Sequence, residues 1–391
     1  MKTYMKVLAI VFLIIIGILP GSAMAQKEKI PVILVTDLYY PAQDPGDNLD
    51  LIMGYALPEI DLRAIILDIT DEFRKDSAFV FNLIMQRGGP REPGVIPVMQ
   101  MNYLFDKAVP FAIGPMKPLD SADDKKENAP AFQQAGIDLL IRSLEQSNQP
   151  VHILSFGSAR TIAAAYNRRP ELLKEKVKMI HLSAGNSAYD GPVKSENVWD
   201  NIPGGEWNVA LDVHAFVRLL RSDLPVSVYP CAGKKGVFSP DPYNTYWKMK
   251  DIAFVRQMDP RLQRYIDDIF TPQARIDYLG TLDQEQTFVS RKSPHHVWET
   301  AIWINVSGRS LVRNAAGQYR ILPAGERKET DTLIPYRMQP CKLQVPDSGH
   351  FTFRPAVTSD KYIYYRPDPL QNEAALQEAL PELYLSFKTK K

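Results

Sequence analysis

The residues with the clearest chemical potential are four carboxylates in a short span. Asp37 ends the apolar run Ile33-Leu34-Val35-Thr36, and Asp44, Asp47 and Asp50 follow within the segment Asp44-Pro45-Gly46-Asp47-Asn48-Leu49-Asp50. Carboxylates crowded at the end of a buried strand raise one another's pKa unless a proton or a cation is shared between them. Acid oxygens suit a hard cation. If Asp47 or Asn48 caps a helix, Asp47 and Asp50 lie three residues apart on one face, with Asp37 closing the strand and Asp44 in the turn. The plainer alternative makes Asp47 only an N-cap and Asp44-Pro45-Gly46 only a polar turn.

The elements that must position these acids follow from periodicity. Strands are predicted over Val32–Thr36, Leu62–Ile69, Val95–Met99, Val151–Phe156, Val177–Ser183 and Val226–Tyr229. Helices are predicted from the spacing of Leu49, Ile52, Met53, Ala56 and Leu57, and over Phe132–Gln146, Arg160–Tyr166 and Val213–Arg221. This alternation predicts an α/β fold, a mostly parallel, Rossmann-like open sheet with helices on both faces. Ligands bind such sheets at the carboxyl ends of the strands. The four prolines and the charged stretch between Asn102 and Pro130 predict a long surface loop able to lid a pocket. After Val312 tyrosines, prolines and alternating patterns predict a small β-rich C-terminal appendage, closed by a helix near Gln371–Leu383. The expected division is a leader over 1–25, an α/β domain over 26–312 and the appendage over 313–391 packed on the core.

Lys2 and Lys6, the apolar run Val7–Leu19 and Ala23-Met24-Ala25 predict a cleaved signal peptide ending before Gln26, hence a periplasmic or secreted protein. The apolar run is shorter than the roughly 20 residues of a membrane-spanning helix, so no membrane partner is expected after cleavage. With 46 basic and 45 acidic side chains the chain has no charge excess to attract nucleic acid. Cys231 and Cys341, the two cysteines, are compatible either with one disulfide or with two buried thiols.

Several segments together resemble the inosine-uridine nucleoside hydrolase family. Thr36-Asp37 and Asp44-Pro45-Gly46-Asp47 are similar to its Asp-Thr-Asp-Pro-Gly-x-Asp-Asp calcium motif, opened by an insertion. Leu154-Ser155-Phe156-Gly157-Ser158-Ala159 resembles the segment whose first residue offers a backbone carbonyl to calcium, a role that falls on Phe156. Ser158 is no nucleophile elbow, because Arg160 stands where a second glycine is needed. The stretch from Asn201 through Glu206-Trp207-Asn208 to Asp212 resembles the family's Glu-Phe-Asn segment, which holds the ribose. Pro294-His295-His296-Val297-Trp298-Glu299 takes the place of a His-Asp pair opening a helix.

The resemblance implies an N-ribosyl hydrolase acting on a nucleoside or related riboside. Its metal would be held by Asp37, Asp44, Asp47 and the Phe156 carbonyl, with His296 or Glu299 in place of the missing aspartate. Calcium is the implied ion; zinc, or loss of the metal, is the alternative left open by His296, since imidazole is a poor calcium ligand. Asp37 or Asp44 would act as base and His295 would protonate the departing base. Asn201, Glu206, Asn208 and Asp50 would bind the substrate. A non-catalytic sugar or nucleoside binder, or a hydrolase of another glycoside with Tyr39, Tyr40 and Trp207 as stacking residues, are the competing readings. A homo-oligomer is left open.

Overall fold

The computed structural model describes residues 28–42, 44–74, 91–187, 201–270, 278–283 and 294–390. The expected leader lies outside the described residues. The first half of the chain runs β1 (Ile30–Thr36), β2 (Tyr39–Tyr40), α1 (Pro45–Ala56), β3 (Ile60–Leu67), β4 (Glu92–Pro93), α2 (Val95–Phe105), β5 (Phe111–Ile113), α3 (Ala131–Glu145) and β6 (Val151–Phe156). Helices α4 (Arg160–Arg168) and α5 (Pro170–Lys176) lead to β7 (Val177–Ser183), and α6 (Trp207–Leu211) and α7 (Val213–Leu220) lead to β8 (Val226–Tyr229). Then come β9 (Trp247–Met249), α8 (Pro260–Phe270), β10 (His295–Val297) and α9 (Thr300–Val306). The chain closes with β11 (Arg309–Arg313), β12 (Tyr319–Pro323), β13 (Thr332–Leu333), β14 (Arg337–Gln344), β15 (Thr352–Pro355), β16 (Lys361–Tyr365) and α10 (Pro369–Ser386).

Among the described residues, nine strands form the central sheet in the order β15-β14-β16-β8-β7-β6-β1-β3-β5. From β16 to β5 all neighbours are parallel, while β14 and β15 add an antiparallel edge. The expected α/β class with a mostly parallel sheet is what the chain adopts. Alternation in β1 shows how the core divides. Val32 and Leu34 enter one apolar cluster with α1, α2, α8, α9 and α10, whereas Ile33 and Val35 enter the other with α3, α4, α5 and α7. A strand buried on both faces has no polar side, which is why β1 reads as an unbroken apolar run.

Three sequence expectations are corrected. Val95–Met99 is not a strand but the start of α2, which buries Val98, Met101, Leu104 and Phe105 at helical spacing. Pro97 sits in its first turn, where a missing N–H costs nothing. The supposed loop from Asn102 to Pro130 begins as the end of α2 and contains β5, the edge strand beside β3. The residues after 312 divide between two places. Strands β11 to β13 make a small antiparallel sheet, but β16 pairs in parallel with β8 and so extends the central sheet itself.

Candidate active site

The chain runs outward from β1 to β3 and β5, then returns to place β6 on the other side of β1. The strand order therefore reverses between β1 and β6, and open α/β sheets bind ligands outside such a switch point. There the Asp37 N–H donates to the Phe156 carbonyl at 3.3 Å. A cavity of about 310 Å³ opens at this point, within the range of small-molecule sites. Asp37, Asp44, Asp47, Glu206 and Glu299 line it together with Phe156, Asn208, His295 and His296, and Trp207, Phe238 and Trp298 give it aromatic walls.

Helix α1 starts earlier than expected. Its N-cap is Asp44, not Asp47 or Asn48, and the Asp44 carboxylate accepts from the Gly46 N–H at 2.7 Å. Pro45 at the first helical position fixes that start. Asp47 then lies in the first turn facing the cavity, and Asn48 is buried, accepting from the Tyr265 hydroxyl at 2.7 Å. Asp50 is only 3% exposed and is absent from the cavity wall, so it does not reach a substrate as expected.

The electrostatics show what this clustering costs. Burial, then the charges of Glu299, Asp68 and Asp44, pushes Asp37 up to about 8. Burial raises Asp44 to about 6 against the pull of the Gly46 N–H. Asp47 is held well above the usual carboxylate range by burial and by Asp37, Asp44, Glu299 and Asp50, and Asp50 by burial, Glu299 and Asp44. Glu299 rises to about 7, chiefly through burial. Five acids thus favour sharing protons or a cation. Among the described residues, however, no three His, Cys, Asp or Glu side chains already close on one point as a metal centre. The donors are oxygens, including the Phe156 carbonyl, and their chemistry fits a hard cation better than zinc.

The histidine pair departs from expectation. His295 and His296 do not open a helix; they lie in β10, paired with Met249 and Lys248 of β9. His296 Nδ1 stands 2.9 Å from the Tyr246 hydroxyl, and its ring packs on Phe238 at 4.5 Å between centroids. That aromatic clasp holds the ring at the edge of the cavity that the acids also line. Helix α9 opens instead at Thr300 with Glu299 at the cap position, so Glu299 and His296 do not share a helical face. Glu299 Oε1 accepts from the Ser183 hydroxyl at 2.9 Å, which turns this acid toward the carboxyl end of β7.

Glu206 caps α6. Its Oε1 accepts from the Asn208 N–H at 3.0 Å, and its Oε2 from the Gly185 and Val209 N–H groups at 2.8 and 3.2 Å. Burial nevertheless outweighs these bonds and raises it to about 7. Asn208 donates to the Ser183 carbonyl at 2.7 Å, fixing the side chain beside Glu206. Asn201 is exposed and does not line the cavity, contrary to the role expected of it. Tyr39 and Tyr40 are buried, Tyr39 donating to the Thr70 carbonyl, so of the three expected stacking residues only Trp207 lines the cavity. Cys231 and Cys341 are both buried free thiols.

Sequence reasoning missed three supports. Asp68 follows β3 as Asp37 follows β1, and accepts from the Ser158 and Thr161 hydroxyls at 2.8 Å each; the same signal of an acid closing an apolar run was there to be read. Ser158 is thus a structural donor. Ser183 had no signal at all. Arg160, fully buried, pairs with Asp212 at 2.9 Å and also donates to the Pro115 and Leu211 carbonyls, binding the loops around the sheet ends together.

No family model matches the chain. A stretch of 202 residues is 24% identical to the pyrimidine-specific ribonucleoside hydrolase RihA of Escherichia coli O127:H6, covering 47% of this chain and 56% of that protein. The protein of the same name from Salmonella paratyphi B is 26% identical over an equal length. Over that stretch the chain is similar, at low identity, to ribonucleoside hydrolases. It spans about half the length of the curated relatives it matches. Among solved structures, a purine-preferring ribonucleoside hydrolase from Gardnerella vaginalis is 14% identical at a TM-score of 0.49, with 91% of this chain and 99% of that one covered. An inosine-uridine preferring nucleoside hydrolase from Bacillus anthracis is 12% identical at a TM-score of 0.44, with 89% and 97% covered.

Proposed function

We propose that the protein is a metal-dependent N-ribosyl hydrolase that cleaves the glycosidic bond of a nucleoside or related riboside. The carrying observation is that Asp37, Asp44, Asp47 and Glu299 line one cavity with Phe156 at the switch point of the sheet, close enough for their charges to raise Asp47. Those groups would hold the cation, calcium by the hardness of its donors. When bound, it would offset their repulsion and lower the pKa of a water at the site. Asp37 or Asp44 would take the proton of the attacking water. Glu206 and Asn208 would orient the sugar hydroxyls, and the surrounding carboxylates favour the positive charge that develops on the ring as the bond breaks. Trp207, Phe238 and Trp298 offer flat faces to an aglycone. His295, in the same wall, would protonate the leaving base.

Ribose release from a panel of purine and pyrimidine nucleosides, with and without chelator, tests this reading. Hydrolysis abolished by chelator and restored by calcium supports it. Absence of release from every riboside, at full metal occupancy, would sink it in favour of a binding protein. One observation favours that second reading: both oxygens of Glu206 are already engaged by backbone N–H groups, leaving less capacity for a sugar. The leader expected from the sequence would place the activity in the periplasm or outside the cell, and a mature N-terminus at Gln26 would support that placement. No helix among the described residues is long and apolar enough to cross a membrane.

A further inference from the structure

The turn between β14 and β15 plays no part in the chemistry proposed above, yet it packs on the backbone that holds Glu206. A Cβ on Gly349 (φ +80°) would stand 2.8 Å from Val209 Cγ1, one on Gly205 would stand 3.0 Å from His350 Cε1, and one on Gly185 would stand 2.7 Å from Phe351 Cε1. Gly185 and Val209 are the residues whose N–H groups bind Glu206 Oε2, and Gly205 immediately precedes it. Gly185 and Gly205 have positive φ, at 96° and 68°. A glycine segment loses much backbone entropy on ordering and brings no side chain to recover it. The turn supplies much of the packing that the segment lacks: Phe351 is 2% exposed and packs on Gly185 beside the ring of Phe216, 6.0 Å away between centroids, whose Cζ would itself stand 3.1 Å from a Cβ on Gly185.

We propose that the β14–β15 turn, through His350 and Phe351, is a positioning element that fixes Glu206 for the sugar, so that its packing sets the affinity for the riboside. This rests on the hydrolase reading. Truncating Phe351 leaves a void against Gly185, and the cost of a void is met by whatever nearby backbone can move. Here that backbone carries the Glu206 acceptor bonds.

The test uses the full-length protein with Phe351→Ala, His350→Ala, Phe351→Leu as the conservative variant, and Leu173→Ala, a fully buried residue of α5 remote from the cavity, as a control for general loosening. Amide hydrogen exchange is followed in peptides containing Gly185, Asn208 and Val209, and KM and kcat are measured for the best riboside. In both alanine variants those amides exchange faster while β1 peptides do not, KM rises about tenfold with kcat within about twofold, and metal content is unchanged. Phe351→Leu recovers most of the loss, and Leu173→Ala lowers the melting temperature without moving KM. If Phe351→Ala does not fold, His350→Ala carries the test. Unchanged exchange, or faster exchange at constant KM, overturns the proposal, as does an equal KM rise in Leu173→Ala. A wild-type protein inactive on every riboside removes the hydrolase reading and with it the link to affinity, while the exchange measurement still decides whether the turn holds Glu206.

Discussion

Asp47 is the residue at which the metal reading is most exposed to failure, because it faces the cavity from the first turn of α1 and is raised by four neighbouring acids besides burial. Asp47→Ala is expected to lower bound metal and ribose release together, with unchanged far-UV circular dichroism. Even outer-shell partners of metal sites are worth about 10- to 100-fold in affinity, so elemental analysis at limiting calcium suffices to see it. The acid cluster also sets a pH dependence. Asp37, Asp44, Glu206 and Glu299 are raised to about 8, 6, 7 and 7, above unfolded values near 4. Between those limits the native state binds more protons than the unfolded one, so stability falls as pH rises. The melting temperature of the metal-free protein is expected to decrease from about pH 4 toward about pH 8, and added calcium to restore most at the upper end. A metal-free melting temperature that is flat or rising over this range would contradict the clustering.

At the scale of elements, Asp44 has two separable duties. As N-cap it satisfies the Gly46 N–H, and as an acid it adds charge to the cluster. Asp44→Asn retains a capping oxygen and removes the charge, so the metal-free variant melts no lower than the metal-free wild type while metal affinity drops. Asp44→Ala loses both, with an added cost of about 1 kcal/mol. Calorimetric unfolding beside metal titration separates the two variants. Local signals served this helix well but failed at α2, whose run Val95-Ile96-Pro97-Val98-Met99 is too short for periodicity to tell strand from helix. They failed again at β10, since a strand of three residues is created by its partner β9 and has no pattern of its own.

For the whole molecule, the decisive contact is β16 against β8. Lys361, at the start of β16, donates to the Ser222 and Leu224 carbonyls at 2.9 and 2.7 Å, pinning the C-terminal strand to the turn before β8. Without β16, the backbone edge of β8 and the apolar side chains Val226 and Val228 lose their cover. A chain ending at Val312 is therefore expected to aggregate or to unfold without a cooperative transition, as monitored by size-exclusion chromatography and thermal circular dichroism. Recovery of a soluble, cooperatively folded 26–312 fragment would show that the terminal strands are dispensable.

What the sequence determined by itself was local: the apolar strands β1, β6, β7 and β8, the helices between them, the parallel architecture these imply, and the carboxylates of the Asp37–Asp50 segment. Strand burial and helix amphipathicity are written in the spacing of neighbours, so they survive without knowledge of the rest of the chain. Only the tertiary structure decided that Glu299 caps α9 beside the acids while His296 lies in β10 against Tyr246 and Phe238, that Asp50 is buried away from the cavity, and that Asn201 stands outside it. It alone decided that Glu206 is held by Gly185 and Val209. The Ser183 to Glu299 bond joins residues 116 positions apart, and its existence depends on the order in which β7, β8 and α9 assemble. That order is settled by burial of the whole chain at once, and no local spacing encodes it.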